Sequence, residues 1–192
     1  MSDSNESELI FVFPGAISPE ECRALIDLSE AIGYNPAFIA GTLDGPFGFN
    51  VRNGRNNSRT AIDDFTLADA LWRRVARRVP AVVAGRCVIG LNERLRFYRY
   101  DAGQDFGLHT DGCYVRDNGE QSLLTIMVYL NDDYAGGETC FLQSDRLITP
   151  STGTALLFTH ALWHEGRTVT KGRKYILRTD VMYRPETVRQ QD

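Results

Sequence analysis

LRFYRYDAGQDFGLHTDG, residues Leu95 to Gly112, decides how the rest of the chain is read. It opens with a strand-like run, Leu95 to Tyr100, carries a turn signal at Asp101 to Gly103, and closes on the triplet His109, Thr110, Asp111. In extended backbone, residues two apart project from one face. The imidazole of His109 and the carboxylate of Asp111 then reach a common point while Thr110 turns away. One further imidazole from a distant strand would complete the two-histidine, one-carboxylate set that holds non-heme Fe(II) and leaves coordination positions open. The chain has three histidines, at 109, 160 and 164. Both His160 and His164 follow the strand-like run Ala155 to Phe158, so the residues alone leave the third ligand open between them.

At 192 residues the chain is expected to form a single domain, 1–192, with a sizeable core. Its 43% hydrophobic and 24% charged residues argue against disorder. A formal charge of −4 without a basic tail makes nucleic acid a poor partner. Arg73, Arg74, Arg77 and Arg78 lie at helical spacing and read as a solvated helix face. Cys22, Cys87, Cys113 and Cys140 form no CxxC pair and read as free thiols in a reducing compartment. The N-terminal MSDSNESELIFVF has too short an apolar run for a signal-peptide core or a membrane span. A cytoplasmic protein with no membrane partner is expected; the oligomeric state is not legible.

Leu9 to Phe13 reads as a strand stopped by Pro14 and Gly15. A helix follows, with Ser18 as N-cap, Pro19 first, Glu21 completing a capping box and Gly33 as the stop. Cys22, Leu25, Ile26 and Leu28 or Ile32 form its expected apolar stripe. Gly41 to Thr60 shows neither helical nor strand period and is expected to be a long binding loop, with Arg55, Asn57 and Arg59 as candidate substrate contacts. A second helix is expected from Phe65 to Val79, capped by Thr66, with Leu67, Leu71, Val75 and Val79 on one face. Strand-like runs then crowd the chain: Leu95 to Tyr100, Leu123 to Leu130, Glu138 to Leu142, Leu147 to Thr149, Ala155 to Phe158 and Tyr175 to Met182. The expected fold is mainly β with flanking helices (α+β), a two-sheet jelly roll with the N-terminal helices packed on one sheet.

A 2-oxoglutarate co-substrate would chelate the metal through its keto and C1 carboxylate oxygens. Its distal carboxylate would need a buried cation. Lys174 lies ten residues after His164 and shares strand parity with Ile176 and Arg178. Arg178 is the rival anchor, because a guanidinium grips carboxylates bidentately.

Taken together, YDAGQDFGLHTD, VYLNDDYAGGET, GTALLF, HEG and GRKY resemble the prolyl-4-hydroxylase-like group of Fe(II)/2-oxoglutarate dioxygenases, from the ISPEEC helix to the last strand. The resemblance implies a double-stranded β-helix in which His109, Asp111 and His164 are the metal ligands and Lys174 anchors the co-substrate. Tyr100 and Thr125 match residues that line the same carboxylate pocket, and Tyr98, in register with Tyr100, is a further candidate for the wall. Arg59 matches the family's substrate-binding arginine, while Tyr114 and Trp163 are candidate substrate contacts. His160 is left with three roles: supporting the site, facing substrate or lying at the surface. The implied reaction uses Fe(II), 2-oxoglutarate and molecular oxygen, with room for ascorbate as reductant. It hydroxylates an unactivated carbon and releases succinate and carbon dioxide. The implied substrate is a prolyl or other residue in a peptide or protein; the alternative is a free amino acid or small-molecule natural product.

Other classes fit less well. A zinc hydrolase lacks its HExxH signature, a serine hydrolase its GxSxG elbow, and a cupin its two-histidine, one-glutamate first motif. A non-catalytic metal-binding or 2-oxoglutarate/oxygen-sensing module is the alternative of a different class. The completeness of the ligand set argues against it.

Overall fold

The computed structural model describes residues 9–37, 42–44, 50–52, 54–149 and 151–186. Two helices and two main antiparallel sheets form its frame. The first helix, α1 (Pro19–Ile32), begins as its sequence dictates: the Ser18 hydroxyl accepts from the Glu21 amide, and the Glu21 carboxylate accepts from the Ser18 amide. Its inward row is Cys22, Leu25, Ile26 and Ser29, not Leu28 or Ile32, which are 38% and 43% exposed. Helical spacing explains the correction, since the row 22, 25, 26 continues to 29. Ser29 occupies that apolar row because its hydroxyl donates to the Ile26 carbonyl and accepts from the Tyr34 hydroxyl.

The second helix, α2 (Phe65–Val75), is capped one turn signal earlier than expected. Asp64, not Thr66, is the N-cap, and its carboxylate accepts from the Leu67 amide at 2.9 Å. The α-helix stops at Val75, and a 3-10 turn, Ala76–Arg78, carries the chain on to buried Val79. Arg73 pairs with Asp69 and Arg74 with Glu21 on the outer face.

The large sheet runs in the order Ile10–Phe13, Ala155–Thr159, Gln121–Tyr129, Arg173–Pro185, Arg94–Asp101, Ser58–Asp63, Asn35–Pro36. Arg86–Leu91 pairs with the far end of the long strand Arg173–Pro185. One face of the sheet presents Phe97, Leu124, Ile126, Leu157, Leu177 and Val181 to Leu25 of α1 and to Leu71 and Val75 of α2. Each fully buried Leu or Phe contributes roughly 1.5–3 kcal/mol to this core. The opposite face carries Tyr98, Tyr100, Met127, Tyr129, Phe158 and Ile176, and a four-stranded sheet covers it: Arg146–Ile148, Thr139–Phe141, His164–Gly166, Phe106–His109.

The stretch Gly41 to Thr60 is not wholly loop. Thr42–Asp44 pairs with Asn50–Arg52, and Ser58–Thr60 begins a strand of the large sheet; residues 41, 45–49 and 53 lie outside the described residues. Its polar, glycine-rich composition concealed edge pairing. The Ser58–Asp63 strand gains its ladder from Arg94–Asp101 rather than from a hydrophobic pattern of its own.

Candidate active site

Two of the three candidate metal ligands come from the facing sheet. His109 and His164 end up directly opposite each other because Phe106–His109 and His164–Gly166 are antiparallel neighbours. Their ring centroids lie 4.3 Å apart. The strand ends at His109, and Asp111 is fixed beyond it by its amide, which donates to the His160 carbonyl at 3.0 Å. One nitrogen of each imidazole and one carboxylate oxygen of Asp111 all lie within 4.8 Å of one another. His109 Nε2 is 3.7 Å from Asp111 Oδ1, and His164 Nε2 is 3.9 Å from Asp111 Oδ2.

Each ligand is oriented by a hydrogen bond on its far side. His109 Nδ1 donates to the Gly107 carbonyl at 2.8 Å, and His164 Nδ1 donates to the Leu162 carbonyl at 3.0 Å, the tautomer that leaves Nε2 free to coordinate. Burial, with help from the neighbouring His164, pulls the His109 pKa down to about 3. Burial likewise lowers that of His164. Burial would raise Asp111, but Arg178, His164 and the Thr125 hydroxyl outweigh it and hold the carboxyl at about 2. The set is therefore ionised as a metal requires: two neutral imidazoles and one carboxylate.

Two candidates for the co-substrate pocket have different neighbours from those expected. Thr125 does not line a pocket with Lys174; its hydroxyl donates to Asp111 Oδ2. The register Thr125↔Asp180 sets it six residues along the sheet from the level of Lys174, next to Asp111. Arg178 is also engaged: its Nη2 lies 3.0 Å from Asp111 Oδ1 and 3.4 Å from Asp180 Oδ1. Asp180 is shared with Arg96 at 2.9 Å. Arg178 thus serves the metal-ligating carboxylate and is not a free anchor.

Lys174 is. Opposite Tyr100 on the neighbouring strand, it is 2% exposed, and its ammonium donates to the Gly137 carbonyl. It has no carboxylate within ion-pair reach among the described residues, and burial pulls its pKa down to about 7. Its Nζ lies 5.4 Å from the ring centroids of both Tyr100 and Tyr129, and the Tyr129 and Thr139 hydroxyls share a hydrogen bond of 2.7 Å. One cavity connects this lysine to the ligand triad, walled by Tyr98, Tyr100, Met127, Phe158 and Ile176. Gly137 makes the arrangement possible. It sits at φ +70°, and a Cβ there would approach Val169 and Lys174 at 3.0 and 3.1 Å.

The other candidates fall outside the cavity. Arg59 is exposed on the strand Ser58–Asp63, beside Arg94 and Arg96 in a separate groove. Tyr114 is 42% exposed. Trp163 is half-buried, and its amide donates to the Gln143 side chain away from the lining. His160 is not at the surface: it is 7% exposed, with Nε2 3.8 Å from Asp180 Oδ1 and no hydrogen-bond partner for either ring nitrogen among the described residues. Sequence reasoning missed Phe106, whose ring stacks on His109 at 3.6 Å and 13°, and the Asp180–Arg96 pair. Strand parity with Lys174 marks Asp180; a register shift between His164 and Gly166 hides Phe106.

Residues 95–179 match the 2OG-Fe(II) oxygenase superfamily. This core is that of a prolyl-4-hydroxylase-like 2OG-Fe(II) oxygenase. A protein of Acanthamoeba polyphaga mimivirus, provisionally named a prolyl 4-hydroxylase, is 25% identical over 188 residues, covering 86% of this chain and 71% of its own. A PKHD-type hydroxylase of Acaryochloris marina is 31% identical over 86 residues, and the match spans 43% of this chain and 38% of that protein. Among solved structures, the viral collagen prolyl hydroxylase of Paramecium bursaria Chlorella virus-1 in complex with 2-oxoglutarate superposes with a TM-score of 0.66 at 25% identity, covering 90% of this chain and 95% of that one. A Pseudomonas putida prolyl-4-hydroxylase shares the fold at a TM-score of 0.64 and 17% identity, with 93% and 94% covered. The oxygenase uses Fe(II), 2-oxoglutarate and oxygen, and the residues fit them: the donor set suits Fe(II), and Lys174 is a buried cation with no ion pair among the described residues.

Proposed function

We propose that the protein hydroxylates a prolyl residue in a peptide or protein. The observation that carries this is the His109–Asp111–His164 set opening into a cavity whose other end is Lys174. The prolyl hydroxylases among its relatives support the choice of substrate. When bound, the iron supplies oxygen activation coupled to decarboxylation of 2-oxoglutarate, and so hydroxylation with release of succinate and carbon dioxide.

The chain's own residues do the rest. His109 and His164 present neutral Nε2 atoms because their Nδ1 protons are committed to backbone carbonyls. Thr125 and Arg178 keep Asp111 charged and aimed. Lys174 takes the distal carboxylate of the co-substrate, with Tyr100 and Tyr129 as walls. Phe106, Phe141 and Phe158 pack around the two imidazoles and exclude water. Free Cys22, Cys87, Cys113 and Cys140 support a reducing, cytoplasmic setting.

The test is turnover with Fe(II), 2-oxoglutarate and ascorbate against proline-containing peptides. Succinate should form in step with a gain of one oxygen atom on proline. Succinate release with every peptide left unmodified would move the substrate elsewhere.

A further inference from the structure

Against Phe106, a wall of the cavity, lies a buried cation with no ion pair among the described residues, Arg55. The segment Gly54–Asn57 is strapped to the Phe106–His109 strand: the Gly107 amide donates to the Gly54 carbonyl at 2.7 Å, and the Asp105 amide donates to Asn56 Oδ1 at 2.8 Å. Within that strap Arg55 and Phe106 form an antiparallel bridge pair. Directly opposed residues project from the same face, so Arg55 is delivered to the side on which Phe106 lines the cavity. Its guanidinium carbon lies 5.2 Å from the Phe106 ring centroid, and that ring in turn stacks on the metal-ligating His109. Arg55 is 8% exposed, has no ion pair among the described residues, and its Nε has no hydrogen-bond partner.

The neighbouring cations are accounted for. Arg96 and Arg178 share Asp180, Arg178 also meets Asp111, and Lys174 faces the place of the co-substrate's distal carboxylate. Among the described residues Arg55 alone of these cations has neither an ion pair nor a co-substrate group to meet. An isolated buried charge is costly, and a carbonyl would satisfy its N–H groups without offsetting that charge. A carboxylate does both, and its planar fork suits a guanidinium.

We propose that Arg55 is a specificity-determining residue that receives a carboxylate of the substrate, so that the enzyme selects an acidic group beside the target carbon. This rests on the prolyl reading above for the identity of the target. The carboxylate has two sources of the same chemistry, the side chain of an adjacent Asp or Glu and the free C-terminus of the substrate.

Binding, not turnover, tests it. Protein loaded with Mn(II) and 2-oxoglutarate without oxygen is titrated into fluorescein-labelled peptides. These carry one proline, with Glu or Gln placed in turn at each adjoining position. A second set ends at proline as free acid or amide, and matching sets have alanine in place of proline. At least one acidic peptide should bind about tenfold more tightly than its neutral twin, the scale of one charge-assisted contact. Arg55→Gln should bring that ratio to about one, and Arg55→Lys should keep part of it. A ratio near one for every pair in the wild type, or a ratio that survives Arg55→Gln, overturns the proposal. An acid preference indifferent to proline leaves Arg55 standing and removes the prolyl assignment; a proline preference without an acid preference does the reverse. No binding by any peptide overturns both.

Discussion

Replacing Lys174 with methionine should move two measurements in opposite directions. The ammonium is 2% exposed, donates to one backbone carbonyl and meets no carboxylate within the described residues. Its loss removes a charge-assisted contact to the co-substrate, about 1.5–3 kcal/mol, which corresponds to roughly a 10- to 150-fold weaker dissociation constant. The ligand-free protein should respond differently, because a thioether of similar length ends the desolvation that pulls this lysine's pKa from 10.5 to about 7. Since the folded pKa lies below the unfolded one, the unfolded chain holds the extra proton between about pH 7 and 10.5. Wild-type stability therefore gains from this group as pH rises through that window, and the variant lacks the gain. The variant's advantage should be largest at and below pH 7 and shrink by pH 9. In the wild type, 2-oxoglutarate affinity should fall above about pH 7, as the lysine must be protonated to take the carboxylate. Calorimetric titration of the Mn(II) protein without oxygen gives the affinity, and thermal unfolding without ligand gives the stability. An affinity within threefold of wild type, or a stability difference flat from pH 7 to 9, would refute the reasoning.

Asp111→Ala should abolish metal binding and turnover, because it removes the only carboxylate of the triad; equilibrium dialysis against Mn(II) checks it. Arg178→Gln should alter metal affinity more than 2-oxoglutarate affinity, since its Nη2 lies 3.0 Å from Asp111 Oδ1; comparison of the two titrations decides. Gly137→Ala should destabilise the fold by about 1–3 kcal/mol and weaken 2-oxoglutarate binding, as the backbone sits at φ +70° with Lys174 3.1 Å from the added carbon; urea unfolding and the same titration measure both. Mn(II) affinity should change little between pH 8 and 6, because burial holds His109 at about 3 and keeps His164 low; a steep loss over that range would contradict it.

Of the candidate ligands, the pair His109 and Asp111 was legible because chain spacing is a local property, whereas the choice of His164 over His160 came from the family resemblance and not from the residues alone. His109 and Asp111 stand two apart, and Lys174 shares a face with Ile176 and Arg178 as alternation requires. The capping box of α1 was equally plain. What escaped depended on which strands meet. Thr125 and Arg178 turned to Asp111 because of a register between three strands that no one of them encodes. Ser58–Asp63 joined a sheet without a hydrophobic period, and Gly137 revealed its role only once Lys174 was seen lying over it.

The ligands are divided between the two layers. Both histidines belong to the four-stranded sheet, while Asp111 is gripped by Thr125 and Arg178 of the large one, from which Lys174 also reaches. An ion held there, with the co-substrate behind it, rivets one layer to the other. The sandwich can then gape only by surrendering its iron, so heat inactivation and metal escape become a single event.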